Sequence, residues 1–559
     1  MSTGSSNPTP DVVLPTLGLL KRLRAIPVYP FLIAMYPVVS LAATNIAEIR
    51  LTDAYRAFAL SLLTAFMLLI IISIVLRSVR KAAMLSSIYL IGIFSYGHLY
   101  TLLKPIAIGD FLVGRHRYLA PAFLVGVATL TWIVLRVKSM PSTAHSILTV
   151  AIVLALAPPL LVIGSTLKES PTYQEQFADL SLGETREFEP PDTRILPDIY
   201  YIVVDAYARS DHLRELFGYD NSEFDAFLQA RGFYLADQAN TNYTSTALSL
   251  ASSLNLDYFR TLGIDLSLGH YPLNMREPIV HSRVRRILEG YGYITVAFPS
   301  GYNPTELYDA DYFLIPDMSK FDELRQEGSV NAFEELFLET TAARLLIDLD
   351  GLLNTPLDSF ISARLSAPEN LQRAIVLSSF DRLGEVADIA GPKFVFAHIT
   401  SPHSPYFFGP KGENTGEVKL FTFGDTSPED DWKQDVPKYL DQLTYVNSRL
   451  REVINSILAA SESPPIILLQ SDHGPDLGLD WDNPEESALL TRVGILSAYY
   501  LPERCRGDLY PTITPVNSFR IVLNCVAGTS YDLLPDISYY NPHVRSEPWD
   551  IYPYEEYLD

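Results

Sequence analysis

Five apolar stretches in succession, at about residues 26–46, 57–76, 83–103, 117–135 and 146–165, constrain this chain more than any other feature. Each is close to the ~20 residues needed to cross a bilayer core as a helix. Residues 58–76 (FALSLLTAFMLLIIISIVL) are the plainest case. The first and third stretches carry internal Pro, Ser, Tyr and His98, which suits tilted helices or helices lining the interior of a bundle. A single such stretch can be a buried soluble helix. Five in a row, separated by basic loops, predict an α-helical membrane domain of about five transmembrane helices over residues 1–165.

Charge divides the chain at the same place. Residues 1–140 hold 13 Lys/Arg against 4 Asp/Glu, a net +9, whereas the remainder holds 29 against 61, a net −32. A domain this acidic does not track a nucleic-acid backbone, so no nucleic-acid partner is expected. With the N-terminus inside, eight basic residues (Lys21, Arg22, Arg24, Arg77, Arg80, Lys81, Arg136, Lys138) lie on the inner side and five (Arg50, Arg56, Lys104, Arg115, Arg117) on the outer side. An odd number of spans then places everything after residue 166 outside. The expected location is the plasma (inner) membrane, multi-pass, with the polar domain on the outer, periplasmic side. No small-residue cleavage site follows the first stretch, which is read as an uncleaved anchor. Residues 166–196 are polar, acidic and Pro-interrupted, and read as a linker along the membrane surface. Cys505 and Cys525 are the two cysteines of the chain. A disulfide between them and two separate thiols are both open.

From residue 197 to 559 short apolar runs alternate with amphipathic ones. Strands are predicted at 199–204, 292–298, 393–399, 466–470 and 494–501, and helices at 369–388 and 438–460. Near-continuous apolar strands alternating with helices predict an α/β domain with a mainly parallel sheet. Ligands in such sheets bind beyond the carboxyl ends of the strands. There the first strand runs into Asp205. The third holds His398 and is followed by His403. The fourth is followed by Ser471-Asp472-His473-Gly474. Any one of these is ordinarily a cap or turn residue; their coincidence at one edge points to a metal or phosphate site. A hydroxyl-rich turn, NTNYTSTALSLASSLN at 240–255, leads into a helical pattern at about 247–254. A hydroxyl at a helix start is either an N-cap or a nucleophile favoured by the helix dipole and free N–H groups.

Taken in order, IVVDAYAR around Asp205, TSTALSLASS, SPHSPY at 401–406 and SDHG at 471–474 resemble the alkaline-phosphatase/sulfatase superfamily. The layout resembles its membrane-anchored transferases, of the lipid A phosphoethanolamine transferase and lipoteichoic acid synthase type. The resemblance implies an alkaline-phosphatase-like catalytic fold. It implies Asp205, Asp472, His473 and the Thr246 oxygen as ligands of one divalent metal ion (Zn or Mn), and Thr246 as nucleophile with Thr244 as second choice. It implies His403 as the histidine at the transferred group, and Arg209 and His398 as substrate contacts. The chain departs from relatives in four ways. There is no Cys-x-Pro-x-Arg formylglycine precursor and no cysteine pair around the nucleophile turn. No full two-zinc histidine set is present, and Asp stands where the transferases that the layout resembles have Glu.

The function expected from this resemblance is metal-dependent transfer of a phosphoethanolamine- or phosphoglycerol-type head group from a phospholipid to an envelope glycan or lipid, through a threonine intermediate. A sulfatase-like phosphodiesterase or sulfuric ester hydrolase is the alternative within the superfamily, and an inactive membrane-anchored binding module the alternative outside it. A transporter fits less well, since the spans carry few charges and no paired broken helices. Oligomeric state is left open.

Overall fold

The computed structural model of the protein describes residues 27–46, 49–104, 106–108, 111–137, 141–182, 196–259, 276–317, 330–345, 367–415, 432–481, 486–540 and 552–553. Several of the basic residues used above to orient the chain, Lys21, Arg22, Arg24 and Lys138, fall outside these. The chain forms two units, one comprising residues 1–44, 51–163 and 337–354, the other 45–50, 164–336 and 355–559.

In the first unit apolar length becomes helix throughout: α1 (Tyr29–Thr44), α2 (Tyr55–Leu76), α3 (Val79–Leu103), α4 (His116–Arg136) and α5 (Ser142–Leu182). Four stretches, Leu51–Leu76, Val79–Leu103, His116–Arg136 and Thr143–Leu167, are long and apolar enough to cross a membrane, and α1 is a shorter apolar helix. Their outward faces carry large aliphatic side chains, among them Ile74 and Leu161, each 71% exposed. A surface this apolar is a lipid-facing one. The hydroxyls of Thr64, Thr129 and Thr149 donate to the carbonyls four residues back, at 2.7–2.8 Å, so these polar atoms are satisfied within their own helices.

Helix α5 runs to Leu182, so the first half of the predicted 166–196 linker continues the helix. Residues 166–182 lack glycine and include three Leu, two Glu and two Gln, with one proline, Pro171. Adding residues to a helix already nucleated by its apolar part costs far less than starting one. Residues 183–195 lie outside the described residues.

The same unit takes in Phe337–Leu345. Phe337 packs on Phe94 at 5.7 Å, the Ala342 amide donates to the Ile93 carbonyl at 2.7 Å, and the Arg344 guanidinium sits 5.3 Å from the Tyr100 ring centre. Gly97 makes this close approach possible. A Cβ there would fall within 3.0 Å of the Glu339 carbonyl oxygen and the Thr340 backbone. Gly→Ala in an unencumbered helix interior gains up to about 1 kcal/mol. Here Gly97→Ala is expected to destabilise by about 1–3 kcal/mol through overpacking. Thermal unfolding of the full-length protein in detergent checks the sign.

The second unit is built on a seven-stranded sheet: β1 (Ile199–Val204), β2 (Tyr234–Leu235), β3 (Ile294–Ala297), β4 (Tyr312–Phe313), β5 (Lys393–Ile399), β6 (Ile466–Gln470) and β7 (Ser497–Tyr500). The order across the sheet is β2-β7-β6-β1-β5-β3-β4. The pairs from β6 through β4 are parallel; β7 runs antiparallel to both β6 and β2. Side-chain alternation along β1 feeds two cores. Ile199, Tyr201 and Val203 pack with α6 (Thr246–Asn255) and α9 (Pro515–Val526). Tyr200, Ile202 and Val204 pack with α7 (Ala367–Leu383) and α8 (Trp432–Ala460). A sheet covered on both faces explains why its central strands read as unbroken apolar runs. Cys505 and Cys525 form a disulfide.

Candidate active site

The central strands β5, β1 and β6 are neighbours, and their carboxyl ends deliver the chemistry to one edge. Asp205 follows β1 directly, His398 is the penultimate residue of β5, and Asp472 and His473 follow β6 by one residue. The turn after β1 needs Ala206 in the left-handed region (φ 61°), which lets the Ala206 amide point at Asp472 Oδ1, 3.4 Å away. The Ser471 hydroxyl accepts from the Tyr207 amide at 2.9 Å and donates to the His473 carbonyl at 2.6 Å, tying the two strand ends together. Gly474 is required by a second close approach: a Cβ there would overlap the Thr491 carbonyl.

Thr246 is the first residue of α6, and its Oγ1 lies 2.9 Å from His473 Nε2. That nitrogen is 3.3 Å from Asp472 Oδ2 and 3.7 Å from Asp205 Oδ1. On the other side of the His473 ring, Nδ1 donates to the Gly474 carbonyl at 3.0 Å, which fixes the tautomer and leaves the Nε2 lone pair facing the carboxylates. His398 Nδ1 contacts the Thr305 hydroxyl at 3.0 Å, and its Nε2 is 3.5 Å from Asp205 Oδ2. Asp205, His398, Asp472 and His473 are buried, whereas Thr246 and His403 are half-buried and form the accessible side of the cluster.

These residues fit a cation. Asp205 Oδ1, Asp472 Oδ2 and His398 Nε2 are buried with no hydrogen-bond partner. One ligand atom each from Asp205, His398 and Asp472 lie within 4.8 Å of one another. Two buried carboxylates so close cannot both ionise without compensation. Burial, and after it the Asp205 charge, push the Asp472 carboxyl up to about 6. Burial acts in the same direction on Asp205, but His403, His398 and His473 outweigh it and hold its carboxyl well below the usual carboxylate range. Burial and then Arg492 drive His473 to its neutral, ligating form. Burial opposes charge on His403, yet Asp205 and Asp476 prevail and raise its pKa.

His403 sits between two proline turns (Pro402 and Pro405), and its ring centre is 6.2 Å from that of His473. The Gln442 side chain on α8 donates to the His403 carbonyl at 2.9 Å and holds the loop. The structure thus brings Asp205, Thr246, His403, Asp472, His473 and His398 together. His398 lies behind the carboxylates rather than at the opening expected of a substrate contact. Arg209 is taken up elsewhere: its guanidinium donates to Asp211, the Ala239 carbonyl and Asn240. Thr244 is fully buried, with its carbonyl accepting from Arg492, whereas Thr246 faces the cluster. Asn242, Tyr243 and Thr244 fit the Asn-x-Thr glycosylation pattern, but the Asn242 side chain is fully buried, donating to Tyr258 and the Ile537 carbonyl, so the triplet is a packing feature.

Arg492 was not legible as a site residue. Its Nε donates to the Thr244 carbonyl at 2.9 Å and its Nη1 to the Gly474 carbonyl at 2.8 Å, with the guanidinium 5.1 Å from the Trp481 ring centre. It therefore clamps the turn before Thr246 to the Asp472-His473 turn. Both partners are backbone carbonyls remote in sequence, so no local pattern announces it.

Residues 197–503 match the sulfatase family model. The chain belongs to the sulfatase family. No match is found among curated proteins. Among solved structures, the sulfatase-family chain is similar to the C-terminal periplasmic domain of EcEptC from Escherichia coli in complex with Zn (13% identity, 66% of this chain and 95% of that one, TM-score 0.38). It is also similar to the integral membrane lipooligosaccharide phosphoethanolamine transferase EptA from Neisseria meningitidis (13%, 89% and 95%, 0.36). A third is a sulfatase of the glycosaminoglycan-metabolising core locus of Bacteroides thetaiotaomicron (13%, 64% and 83%, 0.37).

Proposed function

We propose that this protein moves a phospho-linked head group, of phosphoethanolamine or phosphoglycerol type, from a phospholipid to an envelope glycan or lipid through a covalent intermediate on Thr246. The observation that carries the reading is the Thr246 hydroxyl, half-buried at the start of α6 and 2.9 Å from His473 Nε2. The chain lacks the Cys-x-Pro-x-Arg segment that a formylglycine-using sulfuric ester hydrolase needs, which favours the threonine. Five apolar helices favour a donor drawn from the bilayer, since a hydrolase of soluble esters needs one anchor. The Cys505–Cys525 disulfide favours an oxidising, outward-facing side for the catalytic unit.

Asp205, Asp472, His473 and the Thr246 oxygen would hold one divalent cation, zinc or manganese, with His398 close enough to join them. Bound there, a cation supplies charge that lowers the pKa of the threonine hydroxyl and offsets charge on the transferred group. The N-terminus of α6 directs its free N–H groups at the same anion. Thr246 Oγ, its proton released to solvent, bonds to phosphorus as the bond to the diacylglycerol oxygen breaks. His403, whose pKa Asp205 and Asp476 raise against the effect of burial, gives its proton to that departing oxygen. In the second half-reaction an acceptor hydroxyl passes its proton to His403 and takes the phosphoryl group, freeing Thr246.

The test is peptide mass spectrometry of the full-length protein incubated with metal and candidate phospholipids. A mass adduct on Thr246 is expected, and its mass names the group moved. A family hydrolase is the second reading: turnover of a generic diester without any acceptor dependence and without an adduct supports that instead.

A further inference from the structure

We infer that the surface around Tyr308, Tyr312 and Ile315 of the catalytic unit lies in the head-group layer of the membrane and presents the phospholipid donor to the site; this rests on the phospholipid-donor reading above. Three observations converge on it. The first is composition. Tyr308, Tyr312 and Ile315 are 48%, 46% and 60% exposed, within eight residues of one another. Tyrosine and aliphatic side chains on a surface flanked by arginine are the pattern of a membrane–water interface. Residues 141–559 are −32 overall, yet Arg276 and Arg382 lie in this patch, joined there by Arg50 from the N-terminal part of the chain. Arg50 donates to the Tyr308 hydroxyl at 3.4 Å, Arg276 lies 5.8 Å from the Tyr308 ring centre, and Arg382 donates to the Ile315 carbonyl at 2.8 Å. The two acids in between are engaged, Asp309 with Arg285 and Asp311 with the Thr295 amide. Guanidinium groups beside tyrosines suit lipid phosphates.

The second observation is the tether. Arg50 follows the end of α1, Thr44, by six residues, a reach of at most about 20 Å. The residue bonded to Tyr308 is thus held near the end of an apolar helix by the chain itself. The third is continuity with the site. Arg276 also donates to the Glu306 carbonyl at 3.0 Å. The buried Glu306 carboxylate accepts from the amides of Ser300 and Gly301 at 3.0 and 2.7 Å. The Ser300 hydroxyl meets that of Thr305 at 2.8 Å, and Thr305 meets His398 at 3.0 Å. One stretch of chain, 300–315, therefore runs from the Asp205 neighbour to the exposed patch.

The experiment uses the full-length protein in phospholipid nanodiscs. Both native cysteines are in the disulfide, so a cysteine introduced by Ile315→Cys carries an environment-sensitive fluorophore alone. Blue-shifted emission and quenching by head-group-labelled lipid are expected at position 315. Neither is expected after Leu216→Cys, a 42% exposed position next to Glu215. Emission at 315 equal to that in buffer overturns the inference, whatever the enzyme's activity. In parallel, Tyr312→Asp with Ile315→Asp is expected to raise KM for a vesicle-borne donor about tenfold and leave turnover of a water-soluble diester unchanged. Equal KM values for variant and parent also overturn it. Failure of the donor reading itself appears separately, as the missing Thr246 adduct.

Discussion

Thr246→Ala is expected to abolish head-group transfer, lowering kcat by on the order of 10⁴-fold or more, while a cation is still held by Asp205, Asp472 and His473. The size follows from the position of the hydroxyl. It is half-buried at the start of α6, 2.9 Å from His473 Nε2 and beside a buried Asp/His/Asp cluster, and the methyl of alanine leaves no oxygen there to attack phosphorus. The rest of the catalytic apparatus survives, because Asp205, Asp472, His473 and His398 are placed by strand ends and not by Thr246. Thr246→Ser keeps a hydroxyl and is expected to retain the covalent adduct, with a reduced rate from the less restrained side chain. Thr244→Ala gives the contrast. Thr244 is fully buried, and Arg492 binds its backbone carbonyl, so its truncation acts on stability and spares the adduct. Steady-state kinetics on a phospholipid donor, with intact-mass measurement of each variant, checks the three outcomes. An active Thr246→Ala would end the assignment.

How much of this was legible in the sequence depends on how local each signal is. The apolar helices and the strands Ile199–Val204, Lys393–Ile399 and Ile466–Gln470 were, because a lipid-facing helix and a doubly covered strand each need an unbroken apolar run. The placing of Asp205, Asp472 and His473 at one edge was legible because they sit one to three residues past those strands, where an α/β sheet binds ligands. What escaped depends on contacts between distant residues. Arg492 acts through two backbone carbonyls about 250 and 18 positions away. Gly97 reads as an ordinary helix glycine until the backbone of 339–340 is laid against it. His398 looked like a substrate contact, but its ring is held by Thr305, and no sequence pattern relates the two. The extension of α5 past residue 166 escaped because polarity marks where the bilayer ends, not where a helix does.

Chelation is expected to remove activity by on the order of 10³-fold, because one cation would offset most of the transition-state charge, and rebinding of the metal is expected to depend on pH in a defined way. Cation binding at this cluster requires both carboxylates ionised and His473 neutral. Asp205 is ionised already, held low by the histidines around it despite burial, and His473 is neutral already, because burial and Arg492 oppose its proton. Asp472 is the remaining proton holder, with its carboxyl pushed up to about 6 by burial and the Asp205 charge. Above pH 7 it has lost the proton and affinity is flat. Below pH 6 a proton must leave for each cation bound, so the apparent Kd for zinc or manganese rises about tenfold per pH unit. Asp472→Asn removes both the charge and the titration: affinity falls at every pH and the slope between pH 5 and 6 disappears. Isothermal titration of the full-length protein in detergent at pH 5, 6, 7 and 8 measures this without any substrate. A slope of two protons would mean that Asp205 titrates with Asp472, and that the histidines do not hold it ionised as the geometry requires.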